Sequence, residues 1–237
     1  MKTLIILTLS LGLILPAAAQ VSTSTQGRDM EGQRPVRYAS STYKMEIENA
    51  RENFQKAVQA KRTEMENAVK TQRDELKTKL KNIKDERKES AVDRIDQNIT
   101  ALNAKTTTHY TNVLHQIAGV LSRVGSRTDK AQVNGKDVTA VRTAVSSAQS
   151  AITTARAAVV VQTGKTYALN ITTDATLKNN IGVARKALRA DLKSVENLVK
   201  VARESVRQAA TTLAQIQGVD EFKDRDATST EATSTNH

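Results

Sequence analysis

The chain has 237 residues, with 36 Lys and Arg against 25 Asp and Glu, a formal net charge of +11, and neither Cys nor Trp. A disulfide framework, a Cys-based zinc or iron–sulfur site and a thiol nucleophile are therefore excluded. Two prolines and 3% aromatics argue against sandwiches, barrels and most clefted enzymes, while the bulk of Ala, Val, Leu, Lys, Arg, Glu, Thr and Gln suits long helices.

Residues 1–19 have the layout of a secretory signal peptide. Lys2 supplies the basic start, Leu4 to Leu15 is an unbroken run without charge, and Pro16 ends it. Ala17, Ala18 and Ala19 then offer small residues before Gln20, which places cleavage after Ala19. The run is short for a membrane span, which takes about 20 apolar residues. An uncleaved anchor is the alternative. No Cys follows the run, so a bacterial lipoprotein anchor is excluded. No second apolar run follows either, so no transmembrane span is expected after cleavage. The expectation is an exported, soluble mature chain in the periplasm, on the cell surface or secreted.

Residues 20–41 are polar and aperiodic and read as a disordered linker. A charged helical stalk is expected over 42–91. Between Lys44 and Glu89 stand 13 basic and 10 acidic side chains, several as Glu before Lys at i, i+4, such as Glu52–Lys56, Glu66–Lys70 and Glu75–Lys79. The apolar residues recur every 11: Ile47, Val58, Val69 and Leu80 form one row, and Tyr43, Phe54, Met65 and Leu76 another. Eleven residues in three turns give 3.67 per turn, so the stripe runs nearly straight. It is thin and needs a partner helix. Ile47, Phe54, Val58, Met65, Val69, Leu76 and Leu80 are the candidate pairing seam.

Around Arg87 to Val92 the phase slips. The stripe then thickens through Ile95, Ile99, Leu102, Tyr110, Val113, Leu114, Ile117, Val120, Leu121 and Val124. The helix is taken to run to about Val133, where Asn134-Gly135 stops it, with Gly125 as the alternative break. One continuous helix over 43–133 would be on the order of 135 Å long. Asp137 can cap the next helix. Its seam, Val138, Val141, Val145, Ala148, Ile152, Ala155 and Val159, steps by 3 and 4 without a fault. Thr163-Gly164-Lys165 ends it. Tyr167, Leu169 and Ile171 alternate with polar or small residues, as a loop or strap over the bundle end would. Thr172 or Thr173 can cap the last helix, whose stripe is Leu177, Ile181, Ala184, Leu188, Leu192, Val195, Val199, Ala202, Val206, Ala209, Leu213 and Ile216. Gly218 terminates it, and 218–237 read as an acidic disordered tail. The expected fold class is all-α: an elongated antiparallel three-helix bundle over 92–217 carrying a long, coiled-coil-like charged stalk.

The segments LKNIKDERKE (80–89), RIDQNITALN (94–103), SRTDKAQVNGKDVTAVRTAVSSAQSAI (126–152), QTGKTY (162–167) and LRADLKSV (188–195) resemble uncharacterised exported, mostly helical proteins of small-genome candidate-phylum bacteria. The resemblance covers about half of the chain and consists of helix, turn and cap sequences. It implies an envelope-exported helical protein of no known activity, and it brings no functional residues.

Motifs for chemistry are weak. Gly164-Lys165-Thr166 looks like the end of a phosphate loop, but Val159 stands where that motif needs Gly, after a helix rather than a strand. His109 and His115 are six apart and point to different helix faces, and no metal-binding His spacing occurs. Asp129 to Asp137 fails as a calcium loop, because Ala131 replaces its third-position ligand. No catalytic, cofactor or metal residues are assigned, and no cofactor is expected. The positive charge is spread, with one candidate polyanion face at Arg185, Arg189 and Lys193. No aromatics interleave with the charges, which argues against sequence-specific nucleic-acid reading. The expected role is a non-enzymatic structural or protein-interaction protein of the bacterial cell envelope, paired with itself (a homo-oligomer) or with another envelope protein. A periplasmic holdase-type chaperone and a polyanion- or membrane-surface-binding helical protein are the alternatives.

Overall fold

The structure is a computed structural model that describes residues 37–80, 86–169, 176–216 and 218. The signal peptide, most of the linker, the cap at Thr172 or Thr173, Ile171, His237 and nearly all of the tail lie outside the described residues. So does the side chain of Tyr43.

The chain is all-α, with four helices packed together: α1 (Arg37–Leu80), α2 (Glu86–Val133), α3 (Thr139–Thr163) and α4 (Leu177–Ala214). α1 begins at Arg37, so residues 37–41, expected in the linker, are helical. α2, α3 and α4 each pack against the other two, and α1 packs against α2 and α3. Among the described residues, α1 makes no close backbone approach to α4.

The single rod expected over 43–133 is replaced by a helical hairpin. Arg62 bonds to Thr108 and Arg73 to Asp96, so a step forward along α1 matches a nearly equal step back along α2. The two helices are antiparallel neighbours. α1 also runs parallel to α3: Phe54 lies under Arg156, and Lys61 lies beside Gly164. The stretch read as a projecting stalk is therefore docked along the bundle from Phe54 to Leu80.

The 11-residue rule explains how. Phe54, Val58, Met65, Val69, Leu76 and Leu80 are all buried. Ala57 and Ala68 fill the row between them half-buried. α2 obeys the same period: Val92, Asn103, Leu114 and Gly125 are all buried and 11 apart. Two helices with one near-straight period stay in register over their length. α3 follows heptads instead, as does α4 apart from one extra four-residue step at Leu188–Leu192, with every stripe residue from Val138 to Val159 and from Ile181 to Leu213 buried.

α3 is 25 residues long and α2 is 48, so α3 covers only about half of α2. The core divides accordingly. One part joins Phe54 and Val58 of α1 to Leu114–Val124, the α3 seam from Val141 to Val159, and Val195–Leu213. The other joins Leu76 and Leu80 to Val92, Ile99, Leu169 and Ile181–Leu192. Leu169, in the strap after α3, takes the place the missing helix would have filled.

The turns follow their residues. α2 ends in a Schellman arrangement: the Lys136 N–H donates to the Ala131 carbonyl at 3.0 Å and the Gly135 N–H to the Gln132 carbonyl at 2.9 Å. Gly135 sits at φ 75°, a conformation that favours glycine. Asp137 then accepts the Thr139 N–H at 2.9 Å, one position ahead of the α3 N-cap, Val138. Burial within α2 also corrects one residue of the stripe: Leu102 is exposed and Asn103 occupies the inward position.

Candidate functional site

A helix end leaves its last carbonyls without intrahelical partners. α3 ends between the two parts of the core, where the Gly164 N–H donates to the Val161 carbonyl and the Lys165 N–H to the Gln162 carbonyl, both at 3.2 Å. Asn103 of α2 adds a side-chain donor. Its Nδ2 donates to the Gln162 carbonyl at 3.1 Å and the Lys165 carbonyl at 3.2 Å. Its Oδ1 accepts the Gln162 Nε2 at 2.9 Å. The Gln162 amide also donates to the Tyr167 hydroxyl at 2.8 Å, and that hydroxyl donates to Asp191 of α4 at 2.8 Å. Lys165 pairs with the same Asp191 oxygen at 3.0 Å. Gln72 of α1 reaches Thr166 at 2.9 Å. One polar latch thus ties all four helices to the strap at a single level.

The electrostatics keep this latch in one protonation state. Burial is the largest cause that holds the Tyr167 phenol far above its ordinary pKa, with the neighbouring Asp191 carboxylate adding to it. Burial pushes Asp191 upward, but hydrogen bonds from Tyr167 and Lys165 outweigh it and leave the carboxyl below its ordinary value. A neutral phenol donating to an ionised carboxylate is a structural pair, with both groups already committed.

Sequence alone does not single out Asn103, Gln162, Tyr167 and Asp191 as a site. The available signal is Asn103, a polar residue at a repeat position that Val92 and Leu114 fill with apolar side chains. Lys165, weighed as part of a phosphate loop, is spent on Asp191. A Cβ on Gly164 would lie 3.1 Å from the Lys61 side chain, so this turn is closely covered by α1.

Of the seam residues, Phe54, Val58, Met65, Val69, Leu76 and Leu80 are brought together with α2, α3 and the strap, and Ile47 is half-buried. The seam pairs within the chain. Of the expected i, i+4 pairs, Glu52 and Lys56 lie 3.8 Å apart, both well exposed. Lys61 pairs with Glu64 at 2.6 Å. Such exposed pairs contribute little. Arg73 and Asp96, at 2.7 Å with the carboxylate largely covered, bind α1 to α2 more firmly.

On α4, Arg185, Arg189 and Lys193 are all exposed. Lys193 is engaged by Glu196 at 3.1 Å, so the candidate polyanion face does not hold three free charges. His109 is exposed against Tyr110, with ring centroids 5.8 Å apart. His115 is half-buried, and its pKa is lowered by burial and then by the charges of Arg51 and Arg156.

Arg156 is the one buried polar group without an answer among the described residues. Its Nε and Nη2 are buried and meet no hydrogen-bond acceptor. The guanidinium lies over the Phe54 ring, 5.4 Å from its centroid. Burial lowers its pKa, and no carboxylate opposes that. A buried donor left unmade costs about 1–3 kcal/mol.

No group of three or more His, Asp or Glu that could hold a metal ion occurs among the described residues. None of their helices is long and apolar enough to cross a membrane. No protein-family model, curated protein or solved structure matches the chain.

Proposed function

We propose that this chain is a non-enzymatic structural or protein-interaction protein of the bacterial cell envelope, acting through its long helices. In this reading α2, α3 and α4 are the three-helix base and α1 is an arm held on it by the 11-residue seam. The observation that supports it best is the use of the polar side chains. The most elaborate polar cluster, from Asn103 to Asp191, is consumed in joining helices to one another. The start of the repeat is what remains for a second copy or another envelope protein, since Met45 is exposed and Ile47 only half-buried.

Export and assembly are tested together. The full chain is produced in a Gram-negative host, its cells are fractionated, and the mature N-terminus and the light-scattering mass of the recovered protein are measured. A periplasmic product beginning at Gln20, with a mass above that of one chain or with a cross-linked envelope partner, is the expected result. A cytoplasmic product retaining residues 1–19, or a monomer that cross-links to nothing in the envelope, contradicts the reading.

A further inference from the structure

The net positive charge is gathered on one side of the folded molecule. α4 carries eight basic residues against three acidic ones. Lys186, Lys193, Lys200 and Arg207 stand one heptad apart on a single row, and Lys178, Arg185, Arg189 and Arg203 lie on the rows beside it. All eight are exposed. Asp191 is two residues from both Arg189 and Lys193, which puts it on the other side of the helix. There it meets Tyr167 and Lys165, at the end of α3, at 2.8 and 3.0 Å. The basic rows therefore look away from α3, toward the flank that α4 shares with α2.

α2 divides in the same way. Asp96 and Thr108 bond to Arg73 and Arg62 of α1. The other acidic residues of α2, Glu86, Glu89, Asp93 and Asp129, fall on that flank at its 11-residue period. Arg94, Lys105 and Arg127 share one exposed row on the opposite flank. α1 and α4 both pack on α2 and α3 and make no close backbone approach to each other among the described residues, so this second flank is the one beside α4. The two helices run parallel, since Val92 and Ile99 share a core with Ile181–Leu192 while Leu114–Val124 share one with Val195–Leu213. From Lys178 to Arg207 the basic strip is about 44 Å long. Glu196 and Glu204 engage Lys193, Lys200 and Arg207. Arg94, Lys105, Lys178, Arg185, Lys186 and Arg189 meet no carboxylate among the described residues. Like charges at i, i+4, such as Arg185 and Arg189, disfavour a helix, and no described side chain offsets this pair.

We infer that the α2–α4 face binds a linear phosphodiester polymer, laid along the two helices and held by the phosphates of its backbone. Rows of cations parallel to the helix axes match a line of phosphates, and arginine meets two oxygens of one phosphate at a time. The strip is bordered by acidic residues on the far flank of α2 and by uncharged ones, Val183, Ala190 and Asn197, on the far flank of α4. That shape suits a chain lying along it better than an anionic plane, which would also meet the acidic border. The inference does not depend on where residues 1–19 direct the protein.

The test measures binding of the full chain to a fluorescein-labelled oligothymidylate longer than the strip, by anisotropy at several salt concentrations. With about six phosphates engaged, log K should fall against log salt with a slope of about −4, a loss of a few hundredfold between about 50 and 200 mM. Arg94→Gln with Lys105→Gln, and separately Arg185→Gln with Arg189→Gln, should each make the slope shallower by about 1.4. Lys70→Gln with Lys77→Gln removes the same charge from exposed residues of α1 and should leave the slope unchanged. On the wild-type chain, the polymer should slow acetylation of Lys105 and Lys186 several-fold while Lys70 and Lys77 react as before, a readout that needs no variant. Equal losses from the α1 pair would mean that net charge alone attracts the polymer, and would overturn the inference. So would the absence of binding at the lowest salt. Binding to phosphatidylglycerol vesicles that both face variants lose, without binding to the polymer, would overturn it in favour of a membrane surface.

Discussion

Ile47 and Leu80 stand at the same position of one 11-residue repeat, three repeats apart, and by sequence they are interchangeable. The packing makes them unequal. Leu80 is fully buried, in a core with Val92, Ile99 and Leu188. Ile47 is half-buried among exposed neighbours. Leu80→Ala therefore removes buried methyl groups and leaves a cavity, at a cost of about 2–5 kcal/mol. Ile47→Ala should cost less than about 1 kcal/mol. For a chain of this size each kcal/mol lowers Tm by about 2–4 °C, so the Leu80 variant should melt roughly 5–15 °C lower. Circular dichroism at 222 nm during urea and thermal unfolding measures both variants. Equal and small losses would refute the docking of α1, because a helix standing free in solvent would register neither substitution.

Three further outcomes follow from the latch and turns. Asn103→Leu removes the side-chain donor of the Lys165 carbonyl and leaves the Gln162 carbonyl only the Lys165 N–H, and should cost about 1–3 kcal/mol while amide exchange accelerates over residues 163–169; unchanged exchange there would contradict the capping role. Gly135→Ala forces a side chain into φ 75°, at a cost of about 1–2 kcal/mol, and a variant as stable as the parent in urea would refute the strain. The Asp191 carboxyl has a folded pKa below its ordinary 3.8, so its contribution is complete above that value and disappears as pH falls through the folded pKa. Asp191→Asn should thus be less stable than the parent at neutral pH, with the gap closing in acid. A gap that stays constant from neutral pH into strong acid would contradict the assignment.

Much of this architecture is legible where one rule governs a whole element. The α4 stripe from Ile181 to Leu213 and the α3 seam from Val138 to Val159 need only helical spacing, and α2 ends at Val133 because Asn134-Gly135 can form its turn. The hairpin between α1 and α2 is not legible, for a physical reason. Lys81 to Asp85 contains neither Gly nor Pro, so the two strongest helix breakers are absent, and Asn82 and Asp85 are weaker signals. The surviving signal is a slip in the count: Leu80 is followed by Val92, 12 on, where the repeat calls for 11. The spacing marks the residues of the thin seam, but it points to a partner in another molecule as readily as to one in this chain. A helix cannot reveal from its own stripe which surface covers it. The latch escapes for a different reason. Asn103 interrupts an apolar row, and its meaning depends on α3 ending at the same level, which is a tertiary fact. Arg156 likewise reads as one more solvated charge until Phe54 is placed beside it.

The docking of α1 can be measured directly as a distance. The chain lacks cysteine, so a pair introduced at the exposed residues Gln55 and Gln116 can carry spin labels without background. Labelled protein is diluted into excess unlabelled protein, so that only distances within one chain contribute. Packed antiparallel helices have axes about 8–10 Å apart, which gives a label separation of roughly 15–35 Å by pulsed electron resonance. A continuous helix through the same two positions would hold them about 90 Å apart. The short distance is the expected result, and a distribution centred on the long one would contradict the account.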